Sequence, residues 1–248
     1  MAQEHQQLLP LSVTSALDLH IIGVGSLQQK RYGDAVSILK GVVRGLQEQL
    51  RRIESKVQKA PLPQDIAVPS YHFGPPLDKY FSSDAPFFVF TCPLVFVKRH
   101  AVELVSNTAL KVILTRLSVA TIYNLAVTHH LGVLNTENSS NVRLQKILDL
   151  YEMARKLLRD EHFLSVGDDS DDLYPLGFIL DMAIGNNIGL VHGLLQDKVK
   201  EAQSFQELLS AIMVANSCGT SMSIPHLEGF SRNIQRSVWH IDNSASAA

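Results

Sequence analysis

The chain has 248 residues, 46% hydrophobic and 19% charged, with a net charge of −2. This composition supplies a packed core and excludes wholesale disorder, and the slightly acidic balance argues against a nucleic-acid binder, which normally carries a basic field. Two cysteines, Cys92 and Cys218, exclude a disulfide framework or a four-thiolate zinc site. Their apolar neighbours predict buried, inert thiols.

Met1 to Ile22 contains no Lys or Arg, so no leader peptide is expected. The longest mostly apolar run, Pro86 to Val97, is interrupted by Pro93 and is shorter than the roughly 20 residues of a membrane helix. The expectation is an intracellular protein, cytoplasmic or nuclear, that engages neither membrane nor nucleic acid.

Residues 1–11 read as a polar lead-in. Thr14 or Ser15 is placed to cap a first helix ending near Gln29, with Leu19, Ile22, Ser26 and Leu27 on a helical period. Lys30 to Asp34 forms the turn, with Gly33 supplying backbone freedom. A second helix over 34–59 carries Val36, Leu39, Val43, Leu46, Leu50, Ile53 and Val57 at alternating spacings of three and four. That seam packs on a neighbouring repeat or pairs with a second copy as a homodimer. Gly41 and Gly45 inside it predict close approach of a neighbour.

Pro61, Pro63, Pro69, Pro75, Pro76 and Pro86 break the helical pattern. Residues 66–73 and 86–97 read as extended, forming a small β-hairpin or an ordered insertion within 60–100. Phe87, Phe88, Phe90, Leu94 and Phe96 need a surface to bury against. Helices are then expected from Ser106 to Leu131, Val142 to Phe163, about Leu173 to Gln196 with Pro175 in its first turn, and Glu201 to Ser217. A short C-terminal capping helix, Leu227 to Trp239, completes one domain over 1–242. The small-residue tail 243–248 is expected to be disordered.

Three stretches share one pattern. Leu19, Ile22 and Gly23 precede Ala35, Leu39 and Val42; Ile122, Leu125 and Ala126 precede Ile147, Tyr151 and Ala154; Asn187, Ile188 and Gly189 precede Ala202. Small residues on successive helices allow antiparallel helices to approach closely. The spacing resembles the tetratricopeptide repeat (TPR), in which a Trp-x2-Leu-Gly-x2-Tyr signature precedes Ala-x3-Phe. The first unit keeps that spacing with Leu19 in place of the aromatic. The second has a turn about nine residues longer, and the third has about one extra residue before Ala202. The blocks 122–131 and 186–195 and the Glu228-Gly229-Phe230 helix also resemble uncharacterised TPR-like proteins of diatoms. The resemblance implies a mainly α, TPR-like stack of about three antiparallel helical hairpins.

It also implies a concave groove lined by the first helix of each repeat. By register the lining residues are Leu17, His20, Val24, Tyr123, Asn124, Val127, His130, Asn186, Asn187 and Leu190. No Lys or Arg occurs over 11–29, 117–142 or 173–197. A groove that captures a terminal carboxylate needs cations, so the expected ligand is an uncharged extended peptide. Asn124 and Asn187 would hold its backbone and Tyr123 would anchor it; the alternative is that these asparagines only bridge neighbouring helices.

No catalytic, metal or cofactor site is expected. His129 and His130 are adjacent and diverge by about 100° on a helix. Asp168, Asp169, Asp171 and Asp172 lack the spacing of a calcium loop, and Ser165 is a candidate phosphorylation site. Gly23-Val24-Gly25 follows no strand and is not a dinucleotide turn. The function expected is a non-catalytic interaction or scaffold protein with a protein or peptide partner. Self-association through helix 34–59 and RNA binding by helical repeats are the alternatives.

Overall fold

In the computed structural model, the residues described are 12–56, 64–67, 70–77, 88–97, 102–105, 107–136, 140–160, 173–217 and 224–245. Among them the elements are α1 (Val13–Gln28), α2 (Tyr32–Lys56), β1 (Gln64–Ala67), β2 (Ser70–Phe73), β3 (Leu94–Val97), β4 (Val102–Val105), α3 (Asn107–Leu134), α4 (Asn141–Asp160), α5 (Leu173–Leu194), α6 (Lys198–Ser217) and α7 (Ile224–Ala245). The chain is mainly helical, and each helix from α1 to α7 packs against the next. The lead-in, the acidic run with Ser165, and Cys218 lie outside the described residues.

Ser12, not Thr14 or Ser15, caps α1: its side chain accepts from the Ser15 N–H, two to three residues earlier than expected. The α1–α2 turn does not depend on Gly33. Lys30 takes the left-handed conformation, φ 60°, and the N–H groups of Lys30 and Arg31 close on the carbonyls of Leu27 and Ser26. The α5–α6 turn repeats this geometry. Gln196 has φ 62°, and Gln196 and Asp197 close on Gly193 and His192.

The small-residue pattern has a physical basis at two of its positions. A Cβ on Gly23 would meet Leu39 at 2.8 Å, and one on Gly189 would meet Phe205 at 2.9 Å. Both glycines therefore let the next helix seat a large side chain against the backbone. Gly23 and Gly189, Leu39 and Phe205, and Lys30 and Gln196 are each separated by the same 166 positions. The α5–α6 pair thus keeps the spacing of α1–α2, with Glu201 and not Ala202 standing where Ala35 does. Gly41 differs: a Cβ there would meet nothing within 4 Å, so close approach does not explain it.

The seam of α2 turns inward. Leu39 and Leu46 are fully buried in the chain's own core, with Leu50 and Ile53 packed at its margin. Between α4, α5 and α6, Arg155 bonds Asp181 and Glu207 at 3.0 Å each, and Arg159 reaches Asp181 at 3.2 Å.

The insertion reaches from Gln64 to Val105 and is nested. β1 pairs with β4 and β2 pairs with β3, both antiparallel, giving two two-stranded sheets. The last helix is longer than a short cap and extends through Asn243 to Ala245, inside the expected tail. Leu110–Leu134 of α3 is long and apolar enough to cross a membrane, but 83% of its apolar 18-residue stretch is buried inside the fold. A search for an unbroken apolar run misses this helix, because Asn124, Thr128, His129 and His130 interrupt it.

Candidate functional site: a groove closed by its own segment

The segment Phe88–Val97 lies along α1, α3, α5 and α7, and its aromatic residues bury against them. Phe88, Phe90, Leu94 and Phe96 are each at most 3% exposed. Phe88 rests on the Gly229 position of α7, where a Cβ would collide with its ring. The Phe230 ring stacks on Phe90, with centroids 5.9 Å apart, and meets Phe88 edge-on at 5.5 Å.

Three asparagines hold the backbone of this segment. Asn124 accepts from the Leu94 N–H at 2.9 Å and donates to the Leu94 carbonyl at 2.8 Å. Asn187 does the same for Phe90, at 3.0 Å in both directions. Asn233 does it for Phe88, at 3.0 and 2.7 Å. In an extended chain the N–H and C=O of one residue point to the same side, and those of the next residue to the other. A carboxamide carries an acceptor and a donor side by side, so it satisfies both groups as a neighbouring strand would. Phe88, Phe90 and Leu94 face the helices in this way. At Leu94 the opposite edge belongs to β2, so β3 has a strand on one side and an asparagine on the other.

Further polar groups complete the contact. The Tyr123 hydroxyl sits 3.1 Å from the Cys92 carbonyl and 3.3 Å from that of Phe90, with one proton to share between them. Asn186 donates to the Phe88 carbonyl at 3.1 Å and accepts from Asn233 at 2.7 Å. Asn187 also donates to the Tyr151 hydroxyl at 3.1 Å, and His130 Nδ1 lies 3.3 Å from the same oxygen. His20 Nε2 lies 3.1 Å from the Leu94 carbonyl and Nδ1 lies 2.9 Å from Thr121 Oγ1. The carbonyl can only accept, so Nε2 carries the proton.

Burial sets the charge states. Desolvation holds His20 and His130 neutral, with pKa lowered to about 4; at His20 it outweighs the opposing bond to Leu94. It also pushes the Cys92 thiol up to about 12 and raises the Tyr123 and Tyr151 hydroxyls, so none of these is an ionised nucleophile or base near neutrality.

Of the expected groove residues, His20, Tyr123, Asn124, Asn186 and Asn187 converge on the segment. Leu17, Val24, Val127 and His130 are buried, and His130 reaches the asparagines only through Tyr151. Leu190 lies apart from the segment contacts and lines a pocket of about 180 Å³ with Phe205 and Asn233. Asn233 belongs to the set without having been anticipated, because α7 falls outside the three repeat units. Its signal is an asparagine three residues after Phe230 on a fourth inner helix. The asparagines also bridge helices, through the Asn187–Tyr151 and Asn186–Asn233 bonds, but Asn124, Asn187 and Asn233 hold the segment's backbone besides. No protein-family model, curated protein or solved structure matches the chain.

Proposed function

We propose that this is a non-catalytic, TPR-like interaction scaffold whose concave groove is filled in cis by residues 88–97, leaving partner contacts to the outer helices. One observation carries the reading: Asn124, Asn187 and Asn233 on successive inner helices each pair with both backbone groups of one residue of that segment. The TPR-like assignment is supported by the left-handed turn residues and glycine contacts recurring at one spacing.

An outside peptide would compete against an occupant tethered at high effective concentration. It would also have to open the far wall, where the Phe73 ring packs on Phe90 and Gly74 donates to the Pro93 carbonyl at 2.8 Å. Exposing the displaced Phe88, Phe90, Leu94 and Phe96 costs about 1.5–3 kcal/mol for each side chain. That is comparable to the whole binding energy of a micromolar ligand, about 8 kcal/mol. The groove therefore serves to organise the fold.

The outer layer offers apolar surface instead. On α6, Leu209, Met213 and Val214 are 43%, 65% and 50% exposed. Leu209→Glu with Met213→Glu is expected to abolish capture of a partner from native lysate while leaving the melting temperature within a few degrees. Retention of the partner, together with faster amide exchange at Phe88, Phe90 and Leu94 in the complex, would show binding in the groove and overturn the reading.

A further inference from the structure

A crevice of about 380 Å³ lies where the start of α2, the last turns of α3 and the start of α4 meet. Arg143 and Lys146 line it from α4, and His129 from α3. Tyr32, Val36 and Ile147 provide apolar wall, and among the described residues no carboxylate lines it. Lys40 stands beside Lys146 and Arg44 on the same side of the molecule. Asp34 is engaged by Arg31 at 3.7 Å, and the Asp149 carboxylate accepts from Gln145. Among the described residues no carboxylate pairs with Lys40, Arg143 or Lys146. The His129 Nε2 atom is buried and has no hydrogen-bond partner.

Gathering these groups has a visible electrostatic cost. Burial lowers the Lys40 pKa, and repulsion from Lys146 and Arg44 lowers it further. Burial lowers the His129 pKa to about 4, with Lys40 and Lys146 adding repulsion. Between α4, α5 and α6, by contrast, Arg155 and Arg159 are neutralised by Asp181 and Glu207. A multiply charged anion relieves the repulsion at once. Arg143 supplies a planar fork and Lys146 a point charge, the pair of donors suited to phosphate oxygens. The first turn of α4 adds the positive end of its dipole. The apolar wall accommodates a compact organic body attached to the phosphate.

We propose that this crevice is a binding site for a phosphate-bearing small molecule, held by Arg143 and Lys146 with His129 and Lys40 at its floor and flank. The proposal is independent of what fills the concave groove. Pyrophosphate, titrated at constant ionic strength set with sodium chloride, serves as the probe, with inorganic phosphate alongside it. The intact chain is expected to bind pyrophosphate saturably, more tightly than inorganic phosphate, with a rise in melting temperature. R143Q combined with K146Q, both on the exposed face of α4, is expected to weaken binding at least about tenfold. K156Q, a cation further along the same helix, is expected to bind as the parent does. A second readout needs no variant: pyrophosphate should shift the His129 ring resonances and leave those of buried His20 unmoved. No saturable binding at millimolar pyrophosphate, equal binding by the double variant, or an unmoved His129 ring each overturns the proposal.

Discussion

The inner groove and the outer crevice handle polar groups in opposite ways. In the groove Asn124, Asn187 and Asn233 are neutral and buried, and each satisfies two backbone groups. In the crevice between α2, α3 and α4, cations gather beside a histidine nitrogen that has no partner. Completed pairing marks a part of the fold, because nothing is left to offer a ligand. Uncompensated like charge marks a place where an outside group lowers the free energy.

The sharpest way to break this contrast is to damage the occupant of the groove. Phe90 is fully buried, stacked on Phe230 and against Phe73. Phe90→Ala is expected to destabilise the chain by about 3–5 kcal/mol, measured by denaturant unfolding. A loss under about 1 kcal/mol would mean that the segment is only loosely seated. Asn187→Ala comes next, at about 2–4 kcal/mol, because it strands the buried Phe90 N–H and leaves the Phe90 carbonyl only a share of the Tyr123 hydroxyl. If stability held while partner affinity fell, the side chain would belong to a ligand site instead.

Acid acts on both regions, because burial lowers the pKa of His129 in the crevice to about 4 as well. His20 and His130 are neutral in the folded chain, with pKa lowered to about 4, and return to about 6.5 when unfolded. The unfolded state therefore binds more protons between those values, and stability falls as pH drops from about 6.5 towards 4. The slope approaches about 1.4 kcal/mol per pH unit for each histidine. Thermal melts from pH 7 to pH 5 should show it, and His20→Gln should flatten part of it; melts independent of pH would contradict the buried neutral assignment. The smallest effect is expected outside the groove. A Cβ at Gly41 meets nothing, so Gly41→Ala is expected to stabilise α2 by about 0.5–1 kcal/mol. A loss of stability there would reveal a neighbour that the described residues do not show.

Much of this architecture is legible in the sequence, and what is not has identifiable causes. The periods of α1 to α6 are local, and so are the glycines that meet Leu39 and Phe205. The need of Phe88, Phe90, Leu94 and Phe96 for a covering surface can be read from composition alone. Which surface covers them cannot, because the Asn187–Phe90 and Asn233–Phe88 bonds join residues 97 and 145 positions apart. Asn124 and Asn187 stand out by their shared register and their cation-free helices, which point to a backbone clamp. The sequence carries no sign that the clamped backbone is the chain's own. Strand β4 escapes notice because its partner β1 lies far upstream, across the whole insertion. Lys30 escapes because a left-handed lysine leaves no sequence mark, whereas nearby Gly33 invites the assignment.

The central claim is that asparagine side chains serve as the neighbouring strand for residues 88–97. Residue-resolved amide hydrogen exchange tests it most directly. The account predicts that the Phe88, Phe90 and Leu94 amides exchange as slowly as core amides of α3 and α5, and that Asn187→Ala accelerates Phe90 far more than Leu94. Exchange of all three at the rate of exposed loop amides in the parent chain, or an Asn187→Ala variant that leaves Phe90 as protected as before, would contradict it.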